Sequence, residues 1–271
     1  MIKKMLMLAI FLLNGCGYLS TKVGVIKIKG VIADADDIIK QIDIFINDAD
    51  VKGIMVFINS PGGGVGASQE IYYALKRAKS KGKKIVVYMQ GIAASGGYYV
   101  SLPANKIVAA PGTITGSIGV IMEYPVVKKL FDKIGIDYVV IKSKPHKDIA
   151  SPFRYPDDDE KMLLKNTILD VYDQFITDVA DNRGIPKDSV EKIADGRVIT
   201  GRQAKEYGLI DATGGRDVAI DIMKKVLNLN VDDKIELIEI KKKKSLVEFL
   251  MENAVNRFVL PKIEYRFRLP E

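Results

Sequence analysis

Ser95 stands in a run of small residues, Gly91-Ile92-Ala93-Ala94-Ser95-Gly96-Gly97-Tyr98-Tyr99, with nothing bulky beside it to shield the hydroxyl. The apolar run Lys84–Met89 precedes it and a short helical pattern over 95–102 follows. A serine at such a strand-to-helix turn exposes its Oγ, and a helix start favours a developing anion. The competing role for Ser95 is a simple helix N-cap. A second turn, Asn59-Ser60-Pro61-Gly62-Gly63-Gly64-Val65, also lies between an apolar run and a helical pattern. Its glycines allow backbone N–H groups to approach a ligand closely, and Gly63 and Gly96 are the candidate donors to an oxyanion. No Gly-Lys-Ser/Thr follows, so this is not a phosphate-binding Walker loop.

A serine nucleophile needs a base. His146 is the single imidazole of the chain, which also excludes a multi-histidine zinc site. Lysine is the alternative, because a neutral amine can deprotonate a hydroxyl. An ordinary lysine has a pKa near ~10.4, so about one in a few thousand is neutral at pH 7. Burial or neighbouring cations must lower it by roughly 2–3 units for useful catalysis. Lys147 has Lys142, Lys144 and Arg154 nearby in sequence, which act in that direction. The hydroxyl-rich turn Gly112-Thr113-Ile114-Thr115-Gly116-Ser117-Ile118-Gly119 could support the site or merely satisfy itself locally.

The elements that must position these groups alternate. Apolar runs at Val23–Ile28, Gly53–Ile58, Lys84–Met89 and Lys106–Ala109 read as strands, and Asp137–Ile141 reads as one more. Helical spacing covers Asp36–Asp48, Ala67–Lys81 and Val126–Ile134 between them. This alternation implies βαβ units and a mainly parallel sheet. Further on, Asp157–Arg183 is a long helical pattern ended by Gly184-Ile185-Pro186. Shorter helices are expected near 189–194, 201–207 and 215–227, and a late strand at Lys234–Ile240.

With 271 residues, 48% of them hydrophobic and 28% charged, the chain is globular in class. Its net charge of +7 is dispersed except at Lys241–Lys244, against nucleic-acid binding. A single cysteine excludes a disulfide framework. Residues 1–20 read as a targeting segment: Lys3 and Lys4 precede the apolar run Met5–Leu13. Leu13-Asn14-Gly15-Cys16 is similar to a bacterial lipobox, which makes Cys16 a candidate lipidation site; the alternative is an uncleaved signal anchor. The expected division is a leader at 1–20, a core domain at 21–229 and a C-terminal extension at 230–271, with an amphipathic stretch at Ser245–Leu260.

From Val23 to Leu227 the chain resembles the signal peptide peptidase A family of Ser-Lys serine proteases. The marks are Asn-Ser-Pro-Gly-Gly-Gly (59–64), Ala-Ala-Ser-Gly-Gly-Tyr-Tyr (93–99), Thr-Gly-Ser-Ile-Gly-Val (115–120), His-Lys-Asp-Ile-Ala-Ser-Pro-Phe-Arg (146–154) and Ala-Asp-Gly-Arg-Val (194–198). The resemblance implies an α/β fold of the Clp protease/crotonase type, a superhelix of ββα units with a C-terminal helical appendage. It implies Ser95 as nucleophile, Lys147 as general base, Gly63 and Gly96 as the oxyanion hole, with Gly62 the neighbouring alternative, and Ser117 as the hydroxyl that orients the lysine. No metal or organic cofactor is implied. It further implies residual signal peptides or other hydrophobic, unfolded peptides as substrates, and membrane attachment with the catalytic part outside the cytoplasm. A single-copy chain of this family implies a homo-oligomer, an octamer, whose serine and lysine meet across neighbouring subunits. Ser95 and Lys147 of one subunit are then expected to lie beyond hydrogen-bond reach. The rival readings are a crotonase-like acyl-CoA enzyme and a non-catalytic membrane scaffold on the same fold.

Overall fold

A computed structural model describes residues 20–240. The leader with Cys16, the Lys241–Lys244 run and the Ser245–Leu260 stretch lie outside the described residues. The chain divides into two compact units, residues 20–116 with 198–240 and residues 117–197.

The first unit is built on strands β1 (Thr21–Lys29), β2 (Val51–Ser60), β3 (Lys84–Ala94), β4 (Lys106–Ala109), β5 (Ile114–Gly116), β6 (Val198–Thr200), β7 (Ala212–Thr213) and β8 (Ile235–Glu239). Helices α1 (Asp36–Asn47) and α2 (Val65–Ser80) connect the first three strands. One path through the sheet runs β6-β5-β3-β2-β1-β8, while β4 lies beside both β3 and β7. All pairings are parallel except β5 with β6. Strand β3 serves two partners: residues 86–89 pair with β4, and residues 92–94 pair with β5. Its second half stays in the sheet, with Ala93 still opposite Ser60 of β2 after a register shift, and carries the chain toward Ser95. This mixed α/β architecture, a mainly parallel sheet with helices between its strands, agrees with the α/β class expected from the sequence.

The continuous apolar runs of β1, β2 and β3 arise because helices cover both faces of the sheet. On one face Val23, Val25, Met55, Phe57, Val86 and Val108 pack with Ala219 and Met223 of α8 (Arg216–Val226). Ile42 and Phe45 of α1 and Ile71 and Leu75 of α2 are buried as well, each at 1% exposure or less. Short strands β5, β6 and β7 carry too few residues for a legible period, and the sequence reading missed them. Strand β8 falls inside the expected C-terminal extension and pairs along β1, so that segment begins as part of the sheet.

The second unit contains α4 (Lys128–Ile134), a 3₁₀ turn at Pro145–Asp148, α5 (Asp158–Arg183) and α6 (Lys187–Glu191). Helix α5 begins with a capping box: Glu160 N–H donates to Asp157 Oδ1 at 2.8 Å, and Asp157 N–H donates to Glu160 Oε2 at 3.2 Å. Of the side expected to be apolar, Phe175, Ile176 and Val179 are buried, Leu164, Ile168 and Val171 are half-buried, and Leu163 is exposed. The strand expected at Asp137–Ile141 is absent. A strand needs a ladder partner, and none pairs with this run among the described residues. Tyr138 stacks on Phe153 at 3.9 Å between ring centroids, whereas Val139 and Ile141 are 82% and 98% exposed.

Candidate active site

Ser95 is held in an unusual backbone state. Its φ of 52° and ψ of −122° lie in a region that L-residues avoid, at a cost of order 1–3 kcal/mol. The strain follows from the tight reversal between β3 and the four-residue helix α3 (Gly96–Tyr99). Ser95 N–H donates to Gly116 O at 2.8 Å, and Ser95 O accepts from the N–H groups of Tyr98 and Tyr99, both at 2.9 Å. The backbone is therefore clamped on both sides, while the side chain caps nothing. This removes the N-cap alternative for Ser95. Helix α3 is also too short for a sizeable dipole, so any anion stabilisation rests on individual N–H groups.

Two such groups face the turn. Ile32 anchors the glycine loop: Ile32 N–H donates to Gly62 O at 2.9 Å, and Gly64 N–H donates to Ile32 O at 2.8 Å. In extended backbone successive peptides point to opposite sides, so Gly63 N–H is directed away from Ile32. Among the described residues neither Gly63 N–H nor Gly96 N–H has an acceptor. The two are close, because a Cβ built on Gly96 would lie 3.3 Å from Gly63 N; a Cβ built on Gly62 would sit 2.7 Å from Gly96 N and 2.9 Å from Ser95 Cβ. Gly62 also has φ of +108°. Glycine at 62 is thus demanded twice, by conformation and by the approach of the Ser95 turn. Gly62→Ala is expected to push the Gly96 peptide aside and lower kcat by ~10²-fold, the scale of losing one oxyanion donor. Gly66→Ala, where an added Cβ meets nothing within 4 Å, is the control and should keep full activity.

Hydroxyls and amides around the loop serve as struts. Asn59 Oδ1 accepts from Ile92 N–H at 3.2 Å, where β2 and β3 change register. Gly62 N–H donates to Ser60 Oγ at 3.1 Å. Thr115 Oγ1 donates to Ala93 O at 2.7 Å and Thr113 Oγ1 to Gln90 O at 2.5 Å. The threonines of the third turn thus tie neighbouring strands together. Ile32 was invisible as a functional neighbour in the sequence, because an isolated apolar residue after a strand carries no signal of a bridge.

The second unit holds Ser117 and Lys147. Ser117 has φ of 50°, and its N–H donates to Arg197 O at 2.8 Å. Lys147 lies on the 3₁₀ turn and is exposed. Among the described residues no hydrogen bond or ion pair engages its ammonium, and none joins it to Ser117. The adjacent carboxylate is already occupied: Asp148 accepts from Lys142 at 2.6 Å and from Arg154 at 2.8 Å. The Arg154 guanidinium, helped by Lys142, holds the Asp148 carboxyl far below the ordinary range. Arg154 Nη1 also donates to Glu160 Oε2 at 2.6 Å, and its hydrogen bonds bring the Glu160 pKa down to about 2. His146 is exposed and lines an open cleft of about 420 Å³ with Lys142, Lys144, Arg154, Asp157 and Glu160.

Both carboxylates have depressed folded-state values. For Glu160 the stabilisation is complete above its ordinary 4.5 and is lost as pH falls through about 2, and for Asp148 it persists to still lower pH. Arg154→Gln should therefore start to lose native near-ultraviolet circular dichroism at a higher pH than the parent during acid titration. Superimposable acid curves would contradict the ion network.

Among the described residues no cluster of His, Cys, Asp or Glu could hold a metal, and no helix is long and apolar enough to cross a membrane. Comparison with known proteins adds two family models: one described as peptidase family S49 matches residues 77–230, and one described as Clp protease matches residues 21–113. A protease-named protein of Methanocaldococcus jannaschii is 38% identical over 203 residues, covering 75% of this chain and 65% of its own length. One from Synechocystis is 38% identical over 218 residues, covering 80% and 78%. The chloroplastic serine protease SPPA of Arabidopsis thaliana is 33% identical over 232 residues, covering 85% of this chain and 34% of its own length.

Proposed function

This chain belongs to peptidase family S49, and on that premise we propose that it is a serine endopeptidase working by acyl transfer through a Ser-Lys dyad. The observation that carries the reading is the strained Ser95 turn beside two N–H groups that have no acceptor of their own. In the proposed reaction neutral Lys147 takes the Ser95 proton, and Oγ attacks a peptide carbonyl. The N–H groups of Gly63 and Gly96 hold the tetrahedral oxyanion. The lysine ammonium returns its proton to the leaving amine, and water hydrolyses the acyl-enzyme.

The proposed working form is a homo-oligomer, an octamer, in which Lys147 of one subunit serves Ser95 of the next. Three features support this. Lys147 is exposed and no hydrogen bond or ion pair holds it among the described residues, and burial against a neighbour would favour its neutral form. The β-branched run at 139–141 is exposed and has no ladder partner among the described residues. Met162, Leu163 and Leu169 in the first half of α5 are exposed. Substrates in this reading are residual signal peptides or other hydrophobic, unfolded segments, bound extended along strand edges. Membrane attachment belongs to the proposal through the leader at 1–20.

The test is labelling of purified protein with a fluorophosphonate probe. Labelling that vanishes in Ser95→Ala supports the nucleophile. An unlabelled native protein with intact assembly would instead favour an acyl-CoA enzyme on this fold.

A further inference from the structure

Ser68 lies on α2, well inside the first unit, and is 3% exposed. Among the described residues its Oγ is the buried side-chain polar atom left without a hydrogen-bond partner. The usual outlet for a helical serine is the carbonyl four residues back. That carbonyl, Gly64 O, accepts the Ser68 N–H at 3.0 Å, and no hydrogen bond joins it to the hydroxyl. Burying an unpaired hydroxyl is unfavourable, and alanine would fill nearly the same space without that cost.

The location gives the hydroxyl a use. A Cβ built on Gly96 would stand 2.4 Å from Ser68 Oγ and 3.3 Å from Gly63 N. The Ser68 hydroxyl therefore sits against Gly96 Cα, on the side of that residue that faces the Gly63 N–H. Any side chain at position 96 would collide with it, which explains the glycine after Ser95. We infer that Ser68 is a third donor to the oxyanion, its O–H rotating toward the substrate oxygen as negative charge develops there. The hydroxyl keeps its proton throughout, and only the hydrogen bond forms and breaks. This inference rests on the serine peptidase reading, and the experiment separates the two.

Ser68→Ala and Ser68→Cys are compared with native enzyme for peptide hydrolysis, inhibition by a peptide aldehyde that adds to Ser95, and thermal unfolding. Ser68→Ala should lower kcat by ~10–100-fold, leave KM within about twofold, and weaken the aldehyde by a similar factor. Its Tm should be unchanged or higher, because an orphan hydroxyl has been removed. Ser68→Cys, a weaker donor of similar size, should fall between. A Ser68→Ala enzyme with native kcat and native aldehyde affinity overturns this inference alone. So does a variant whose activity falls only in step with a lower Tm. A native protein that neither hydrolyses peptides nor reacts with the aldehyde overturns the peptidase reading and this inference with it.

Discussion

Ser95→Ala is expected to lower peptide hydrolysis by ~10⁴-fold or more, while subunit assembly and Tm remain close to native. The magnitude follows from the chemistry: without Oγ no acyl-enzyme forms, and the remaining N–H donors can only polarise a carbonyl for attack by water. The near-native stability follows from the structure. The side chain makes no capping bond, and the clamps on residue 95 are its backbone N–H and C=O, which alanine keeps. Substrate binding should survive, so KM-type saturation by a competing peptide remains measurable. Hydrolysis within tenfold of native would exclude Ser95 as the nucleophile.

The second large effect concerns Lys147. Lys147→Ala should be as inactive as Ser95→Ala, and Lys147→Arg no better, because a guanidinium stays protonated at working pH. The informative step is to mix the two inactive proteins, dissociate them and let them reassemble. If each site takes its serine from one subunit and its lysine from the next, equimolar random mixing regenerates about a quarter of the sites. If both groups come from one subunit, mixing regenerates none. The native pH–rate profile should rise through an apparent pKa well below that of a free lysine, because only a deprotonated amine can accept the proton. Persistent inactivity of the mixture, with reassembly shown by size, would remove the shared site.

In the first unit the residue types by themselves mark out most of the longer elements. Buried parallel strands need apolar residues on both faces, so β1, β2 and β3 are written as continuous runs and their helices as amphipathic stripes. The turns that carry Ser95 and the glycine loop could be located because small residues cluster where backbones approach closely. Where elements depend on partners distant in sequence, the period fails as a guide. Strands β5, β6 and β7 have three residues or fewer and exist only through their neighbours. The run 137–141 has the composition of a strand and stays outside any ladder, since composition supplies propensity and not a partner.

What sequence alone settled is therefore local: where the longer strands β1 to β4 and their connecting helices run, which serine stands at a strand-to-helix turn, and where glycines cluster. Only the folded chain could orient single atoms. That Gly63 N–H turns away from Ile32, that Ser95 holds backbone strain while its side chain caps nothing, and that Ser68 ends with an unpaired hydroxyl behind Gly96 are results of packing between segments distant in sequence. Hydrogen-bond direction is set by the peptide planes of several elements at once, and no single stretch of sequence contains that information.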